Sequence, residues 1–265
     1  MKNIKIVFID LDSTLTIKPG KIDIKNKLIF ERLGKIGIPI VINTGRPLPY
    51  TIPICKQFGT SNYVITSNGA EIYNYLTKKV IYRSELSKDN LIKLDELIKK
   101  YNLMYMANGI EKRYTNKSED NKGFIVSEKL SEIDDTIAQV VLESYSLDNM
   151  KLLRKDLETE TNLKIANKTK HIEENKLLYY DIVNDGVDKG TALEKLCNYL
   201  NIETDRAMAI GDSDNDISML KKAGYKVAVA NASENLKKES NMITLSNKQN
   251  GVSTILNELF TQISK

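Results

Sequence analysis

The residues best suited to chemistry stand in four short stretches: Asp10-Leu11-Asp12-Ser13-Thr14, Asn43-Thr44-Gly45-Arg46-Pro47, Asp188-Lys189-Gly190 and Gly211-Asp212-Ser213-Asp214-Asn215-Asp216. The first follows the apolar run Ile6-Val7-Phe8-Ile9, so two aspartates emerge directly from a segment that reads as buried. A buried carboxylate without a compensating partner is costly, and these acids therefore call for something positive beside them. If the extended conformation continues through Asp10 and Asp12, both side chains point the same way, about 6–7 Å apart at roughly 3.3 Å per residue. That separation is too wide to share a proton but suits two groups flanking one reacting centre. One acid can attack while the other handles a proton on the leaving side. Aspartate attacks phosphorus competently and forms an acyl phosphate, although its charge repels an anionic phosphoryl group. A divalent cation removes that obstacle. Mg2+, a hard oxygen-seeking ion, fits Asp10 plus Asp212 with waters completing an octahedron. Lys189 supplies a fixed positive charge and Thr44 a hydroxyl donor, which together can stabilise charge on phosphoryl oxygens in the transition state.

Elements far apart in the chain must bring these stretches together. Residues 4–9 form a near-continuous apolar run, the pattern of a parallel strand covered on both faces. A helix over 25–36 follows, with Leu28, Ile29 and Leu33 at helical spacing and Gly37 as its end. A strand over 39–42 runs into Thr44, and after another helix a strand over 63–66 runs into Ser67-Asn68-Gly69-Ala70. The alternation resumes at Lys189, where Ala192, Leu193, Leu196, Cys197 and Leu200 make one helical stripe. Strands over 207–210, 227–230 and 242–245 and a helix over 252–260 complete it. This rhythm predicts an α/β fold built on a doubly wound, mostly parallel sheet. Asp10, Thr44, Asn68 and Asp212 each sit where a strand runs out, and in such a sheet those ends share one edge, where ligands bind.

The rhythm changes between residues 78 and 182. Helices are expected over 90–101, 133–143 and 150–160, with Ser131 to Asp134 at capping-box spacing before the second. Short strands are expected over 103–106, 124–126, 163–166 and 178–183, and a polar loop over 112–122. This segment reads as an inserted α+β module, dividing the chain into a core of residues 1–77 and 183–265 and an insertion of residues 78–182.

Composition narrows the function classes. The chain has 265 residues, ample for a sizeable core, and a 41% hydrophobic content normal for a soluble globular protein. No run approaches the roughly 20 apolar residues that span a bilayer, and the N-terminus lacks the h-region of a signal peptide, so no membrane partner is expected. The net charge of +4 is mild and unclustered, which gives nucleic-acid binding little support. Two distant cysteines, Cys55 and Cys197, argue against a disulfide framework or zinc site and suit a reducing cytoplasm. With His171 the sole histidine, catalysis must rest on carboxylates, lysine and hydroxyls.

Each motif alone has an ordinary structural explanation. Asp-x-Asp-x-Thr caps turns, Asn-Thr-Gly-Arg-Pro punctuates a strand end, and Asn68-Gly69 is by default a hairpin turn. The Gly211–Asp216 stretch could cap a helix at Ile217, and it lacks the glycine and distal glutamate of a calcium loop. His171 reads as a solvated surface residue of the inserted module, and Tyr105, Tyr179 and Tyr180 as its core. What outweighs these explanations is their conjunction in one order, each at a strand end, supplying every part that phosphoryl transfer needs.

In that order, DLDST, TGR, DKG and GDSDND resemble the four motifs of the haloacid dehalogenase superfamily of phosphatases. More narrowly, NTGRP, TSNGA, DKGTAL, GDSDNDISML and VANA resemble its Cof-type subgroup, with the insertion corresponding to a type-2 cap that sets substrate specificity. The resemblance implies a Mg2+-dependent phosphomonoester hydrolase acting on small phosphorylated metabolites, a sugar phosphate or similar, through an aspartyl-phosphate intermediate. It implies Asp10 as nucleophile and Asp12 as the acid that protonates the departing oxygen and then deprotonates the hydrolytic water. Asp10, Asp212 and the main-chain carbonyl of Asp12 would hold the metal. The amide of Leu11 with Thr44, Gly45, Lys189 and Asn215 would hold the phosphate, with Thr14 and Asp216 in support and Arg46 and Asn68 at the substrate rim. Ser13 departs from the glycine commonest at its position. The alternatives are a phosphohexose mutase on the same core and a non-catalytic phosphate-binding module. A signalling receiver is a third, disfavoured by length and by the position of its acid.

Overall fold

A computed structural model describes residues 3–18, 21–110, 112–117, 123–169 and 176–260. It divides into two compact units, Met1–Tyr82 with Asp188–Lys265, and Arg83–Val187. Both boundaries lie five residues beyond those expected from the sequence.

The strands and helices, in chain order, begin with β1 (Ile6–Ile9), β2 (Thr16–Lys18), β3 (Lys21–Ile22), α1 (Ile24–Lys35), β4 (Ile40–Asn43), α2 (Leu48–Phe58), β5 (Tyr63–Thr66), β6 (Glu71–Asn74) and β7 (Lys79–Arg83). There follow α3 (Lys88–Tyr101), β8 (Met104–Asn108), β9 (Arg113–Thr115), β10 (Ile125–Val126), β11 (Gln139–Ser144), α4 (Leu147–Glu160), β12 (Leu163–Lys168) and β13 (Leu178–Asn184). The chain closes with α5 (Lys189–Tyr199), β14 (Ala207–Gly211), α6 (Ile217–Lys222), β15 (Tyr225–Val229), α7 (Glu234–Glu239), β16 (Met242–Thr244) and α8 (Gly251–Phe260).

The first unit is built on an eight-stranded sheet in the order β16-β15-β14-β1-β4-β5-β6-β7. Strands β16 to β5 pair in parallel, and β6 returns antiparallel to β5. Every residue of β1, β4 and β14 is buried, as the unbroken apolar runs require of strands covered on both faces. Helix α1 packs with α2 and α8, while α5 packs with α6 and α6 with α7, giving two separate helical layers. Strand order reverses at β1: the chain moves outward to β4 and β5, then returns much later as β14 on β1's other side. The carboxyl ends at that reversal form the crevice expected of an open α/β sheet.

The second unit has a six-stranded sheet in the order β10-β9-β8-β11-β13-β12, with α3 and α4 packed on one another and α4 against β11, β12 and β13. Leu94, Leu97, Tyr105, Val140, Leu142, Leu153, Leu157 and Ile182 fill its core. The helix expected over 133–143 is instead a short 3-10 turn at Leu130–Glu132 and then strand β11, so Ser131 caps no helix. Ile133, Ile137 and Val141 recur at helical spacing, but Val140 and Val141 are β-branched and β11 lies centrally between β8 and β13, where packing favours the strand. Strand β9 falls within the expected loop over 112–122, of which residues 118–122, like His171, lie outside the described residues.

Candidate active site

The site is assembled from five chain segments around one buried ammonium. Helix α5 begins at Lys189 because Asp188 caps it, accepting from the amides of Gly190 and Thr191 while Thr191 Oγ1 accepts from the Asp188 amide. The start of α5 is then pressed inward: a Cβ on Gly190 would lie 2.2 Å from the Ser218 carbonyl oxygen, and one on Gly69 2.2 Å from that of Asp188. Asn43 Nδ2 donates to the Lys189 carbonyl at 3.0 Å, tying the last residue of β4 to this first turn. So held, Lys189 is 1% exposed, and its Nζ donates to Asp10 Oδ1 at 2.5 Å and Asp216 Oδ1 at 2.6 Å.

Asp10 follows β1, and its amide still donates to Ile210 of β14. Beyond it the backbone leaves the extended conformation, and Ser13 takes φ +63°. Glycine adopts that left-handed geometry freely, whereas serine is modestly strained by it. Asn231 Nδ2 donates to the Ser13 carbonyl at 2.9 Å, and Asn247 Nδ2 donates to the Thr16 carbonyl at 2.8 Å, so the turn is pinned by residues more than 200 positions away. Thr14 Oγ1 donates to Asp212 Oδ1 at 3.0 Å. Asp216 Oδ2 accepts from the amides of Asp212 and Ser213 at 3.0 and 3.1 Å, so both its oxygens are spent on holding neighbours in place.

Asp10, Asp212 and Asp216 each offer an oxygen, and these lie within 4.8 Å of one another, all three residues being buried. An all-carboxylate donor set suits a hard cation and offers nothing to a soft one. The crowding is visible in the ionisation of the cluster. Burial pushes the Asp10 carboxyl well above the usual carboxylate range; Lys189 opposes the shift, while Asp216 and Asp212 add to it. Burial alone would lower Lys189, yet the Asp10 and Asp216 carboxylates more than offset that and hold the ammonium above its ordinary value. A cation among these acids would relieve the same excess of negative charge, so the residues present fit a metal.

The remaining residues singled out in the sequence arrange themselves in two further groups. Asn68, 1% exposed, accepts from Asn215 Nδ2 at 3.1 Å, joining the β5–β6 connection to the loop after β14. It sits in a left-handed run, Ser67, Asn68 and Gly69, that turns β5 into β6, so it is both a hairpin residue and part of the site. Thr44 is buried, its Oγ1 accepting from the Arg46 amide and its carbonyl from the Asn68 amide. Gly45 lies against Asn68, and Leu11 is fully buried. Asp12 is paired with Arg46, whose Nε and Nη2 donate to its two oxygens at 2.7 and 2.5 Å. Asn43, Asp188 and Asn231 stand inside the motifs without a role assigned to them there, and Asn247 lies outside every motif. Only Asp188 carried a signal, the Asp-x-x-Thr spacing of a helix cap.

A buried lysine between carboxylates at a parallel-sheet switch point can take up an anionic group beside a cation. The chain belongs to the haloacid dehalogenase-like hydrolases, whose family model matches residues 7–256. It is 31% identical over 259 residues, 94% of this chain and 93% of the relative, to the 5-amino-6-(5-phospho-D-ribitylamino)uracil phosphatase YcsE of Bacillus subtilis. It is 28% identical to a phosphoglycolate phosphatase of Methanobrevibacter smithii, over 94% of this chain and 96% of that one. A crystal structure of a haloacid dehalogenase-like hydrolase from Bacteroides thetaiotaomicron superposes with a TM-score of 0.82 at 26% identity, covering 97% of this chain and 100% of the other. Among the described residues no helix is long and apolar enough to cross a membrane.

Proposed function

We propose that the chain is a phosphatase that hydrolyses small phosphate monoesters by way of an aspartyl-phosphate on Asp10, with Mg2+ as its metal. The observation that carries this reading is the convergence of Asp10, Asp212 and Asp216 within 4.8 Å, with the Lys189 ammonium 2.5 Å from Asp10. Asp10 and Asp212, with the main-chain carbonyl of Asp12, would hold the ion. When bound, it neutralises phosphoryl charge and lets an anionic nucleophile approach an anionic ester.

The residues divide the remaining work. Asp10 attacks phosphorus, and the bond to the alcohol oxygen breaks as the bond to Asp10 forms. Asp12 gives its proton to the departing oxygen and later takes one from the water that hydrolyses the acyl phosphate. Lys189, with Thr44, Gly45, Asn215 and the amide of Leu11, binds phosphoryl oxygens and stabilises their charge. Asp216 orients Lys189, and Thr14 orients Asp212. Unit Arg83–Val187 is the part of the chain that selects the alcohol. The relatives' names cover a ribitylaminouracil phosphate and phosphoglycolate, so the ester class is a small phosphorylated metabolite.

Phosphate release from an aryl phosphate, with and without chelator, tests the reading in wild type and Asp10→Asn. Loss of turnover in the variant and in chelator is expected. Full activity in Asp10→Asn would remove the covalent step.

A further inference from the structure

Asp12 and Arg46 form a fork that the reaction as described does not use. Arg46 Nε donates to Asp12 Oδ2 at 2.7 Å and Nη2 to Oδ1 at 2.5 Å, so each carboxylate oxygen receives one N–H in the paired geometry that guanidinium favours. Arg46 is itself anchored through its backbone: its amide donates to Thr44 Oγ1 at 3.2 Å and its carbonyl accepts from the Ser67 amide at 3.0 Å. The hydrogen bond to Asp12 is also the main reason the guanidinium holds its proton more tightly than usual. The Asp12 side chain is 50% exposed and that of Arg46 26% exposed. Among the described residues, no other side chain donates to the Asp12 carboxylate.

These facts pull in two directions. A half-exposed carboxylate with one partner has its rotamer set by that partner. A fork that occupies both oxygens also leaves neither facing an ester or a water. Because half of the Asp12 side chain faces solvent, water can take the place of one arm of the fork when that arm is released. We infer that Arg46 is a positioning residue for Asp12: it parks the carboxylate in one orientation, and one arm of the fork opens in turnover to free an oxygen for proton exchange while the other keeps the side chain aligned. The inference rests on the proposed role of Asp12 as acid and base. It concerns the alcohol side of the reaction and leaves attack by Asp10 untouched.

The dependence on leaving group separates this role from direct binding of phosphate. An alkyl phosphate needs its departing oxygen protonated, whereas p-nitrophenyl phosphate releases a stable anion and needs little help. Arg46→Ala is expected to lower kcat on an alkyl phosphate such as glycerol phosphate by about 10-fold, a part of the roughly 10²–10⁴-fold that general acid–base catalysis supplies. On p-nitrophenyl phosphate the single-turnover rate of p-nitrophenolate release, which precedes the hydrolysis in which Asp12 acts as base, is expected to stay within about twofold, with KM little altered on either ester. Arg46→Lys, which keeps one donor, should recover part of the alkyl-phosphate rate. In an Asp12→Asn background, Arg46→Ala should cost nothing further.

Equal losses in alkyl-phosphate turnover and in single-turnover p-nitrophenolate release, an equal loss with and without Asp12, or a rise in KM at unchanged kcat would make Arg46 a phosphate-binding or purely structural residue and overturn the inference. So would no change at all. Melting temperatures of each variant identify any loss that is only misfolding, and Arg46→Met supplies a second uncharged variant of similar length should Arg46→Ala fold poorly. Asp10→Asn keeps the two readings apart. If it is inactive while Arg46→Ala is unaffected, only the positioning role falls; if Asp10→Asn is active, the phosphatase mechanism falls first.

Discussion

A lysine–carboxylate cluster from the first unit and one from the second take opposite characters from their environments. In the first, Lys189 reaches Asp10 and Asp216 at the buried ends of parallel strands. In the second, Lys100 and the Tyr101 hydroxyl donate to Asp156 at 2.7 and 2.5 Å, with Lys100 largely in solvent. The contacts are equally short. Yet Asp10 is pushed up, chiefly by burial, while Asp156 is drawn down by its hydrogen bonds to Lys100 and Tyr101. Distance alone therefore says little about what a pair does. A single acid that accepts from an exposed lysine and a hydroxyl becomes a better anion, whereas several acids enclosed around one cation become a site with charge to spare. The first cluster is suited to an ionic ligand; the second clips α3 to α4.

Substitutions can break or sharpen this contrast. The largest effect is expected from Asp10→Asn, which should reduce phosphate release by about a thousandfold or more, as loss of a nucleophile does elsewhere. Lys189→Met should follow. Removing one partner from a buried charge cluster costs about 3–5 kcal/mol, and the three acids left behind should make the melting temperature depend more strongly on added Mg2+ than in wild type. Thermal melts with Mg2+ or chelator read this directly; equal Mg2+ shifts in both proteins would show that the lysine does not balance the same acids. Gly69→Ala should come next, because its Cβ would meet the Asp188 carbonyl at 2.2 Å and the position has φ +97°. It is expected to displace the start of α5 and lower kcat more than the melting temperature.

The smallest effect belongs to the second cluster. Asp156→Asn should leave kcat unchanged. Because the folded-state pKa of Asp156 is lowered, its contribution to stability is present above the unfolded value of about 4 and disappears as pH falls through the folded value. The melting-temperature difference between wild type and variant should therefore shrink on acidification. A difference that persists at low pH would assign the pair a packing role instead.

Much of the first cluster was legible because buried parallel strands write themselves as unbroken apolar runs, and the residue ending each run is fixed by chain geometry. Asp10, Thr44 and Asp212 could be found that way. Side-chain pairings chosen among rotamers could not: nothing in the spacing of Asp12 and Arg46 announces their fork, and nothing about Asn43 announces its bond to Lys189. Strand β11 was misread because Ile133, Ile137 and Val141 satisfy a helical period, and only its neighbours β8 and β13 decide the matter. The first unit boundary lay five residues further on because β7 joins the large sheet through tertiary pairing that Lys79-Val80-Ile81-Tyr82-Arg83 does not advertise, and the second because β13 runs on to Asn184 in the other sheet.

The placement of β1 between β4 and β14 has a consequence for biosynthesis. Strand β1 is made well before its neighbour Ala207–Gly211, the acids Asp212 and Asp216, and the pins Asn231 and Asn247, which leave the ribosome some 200 residues later. Domains generally fold as units during translation, so the intervening residues can settle while the first strand waits. A nascent or truncated chain ending before β14 therefore carries Asp10 without Asp212 and Asp216, and the acidic cluster is complete only after Asp216 has been made.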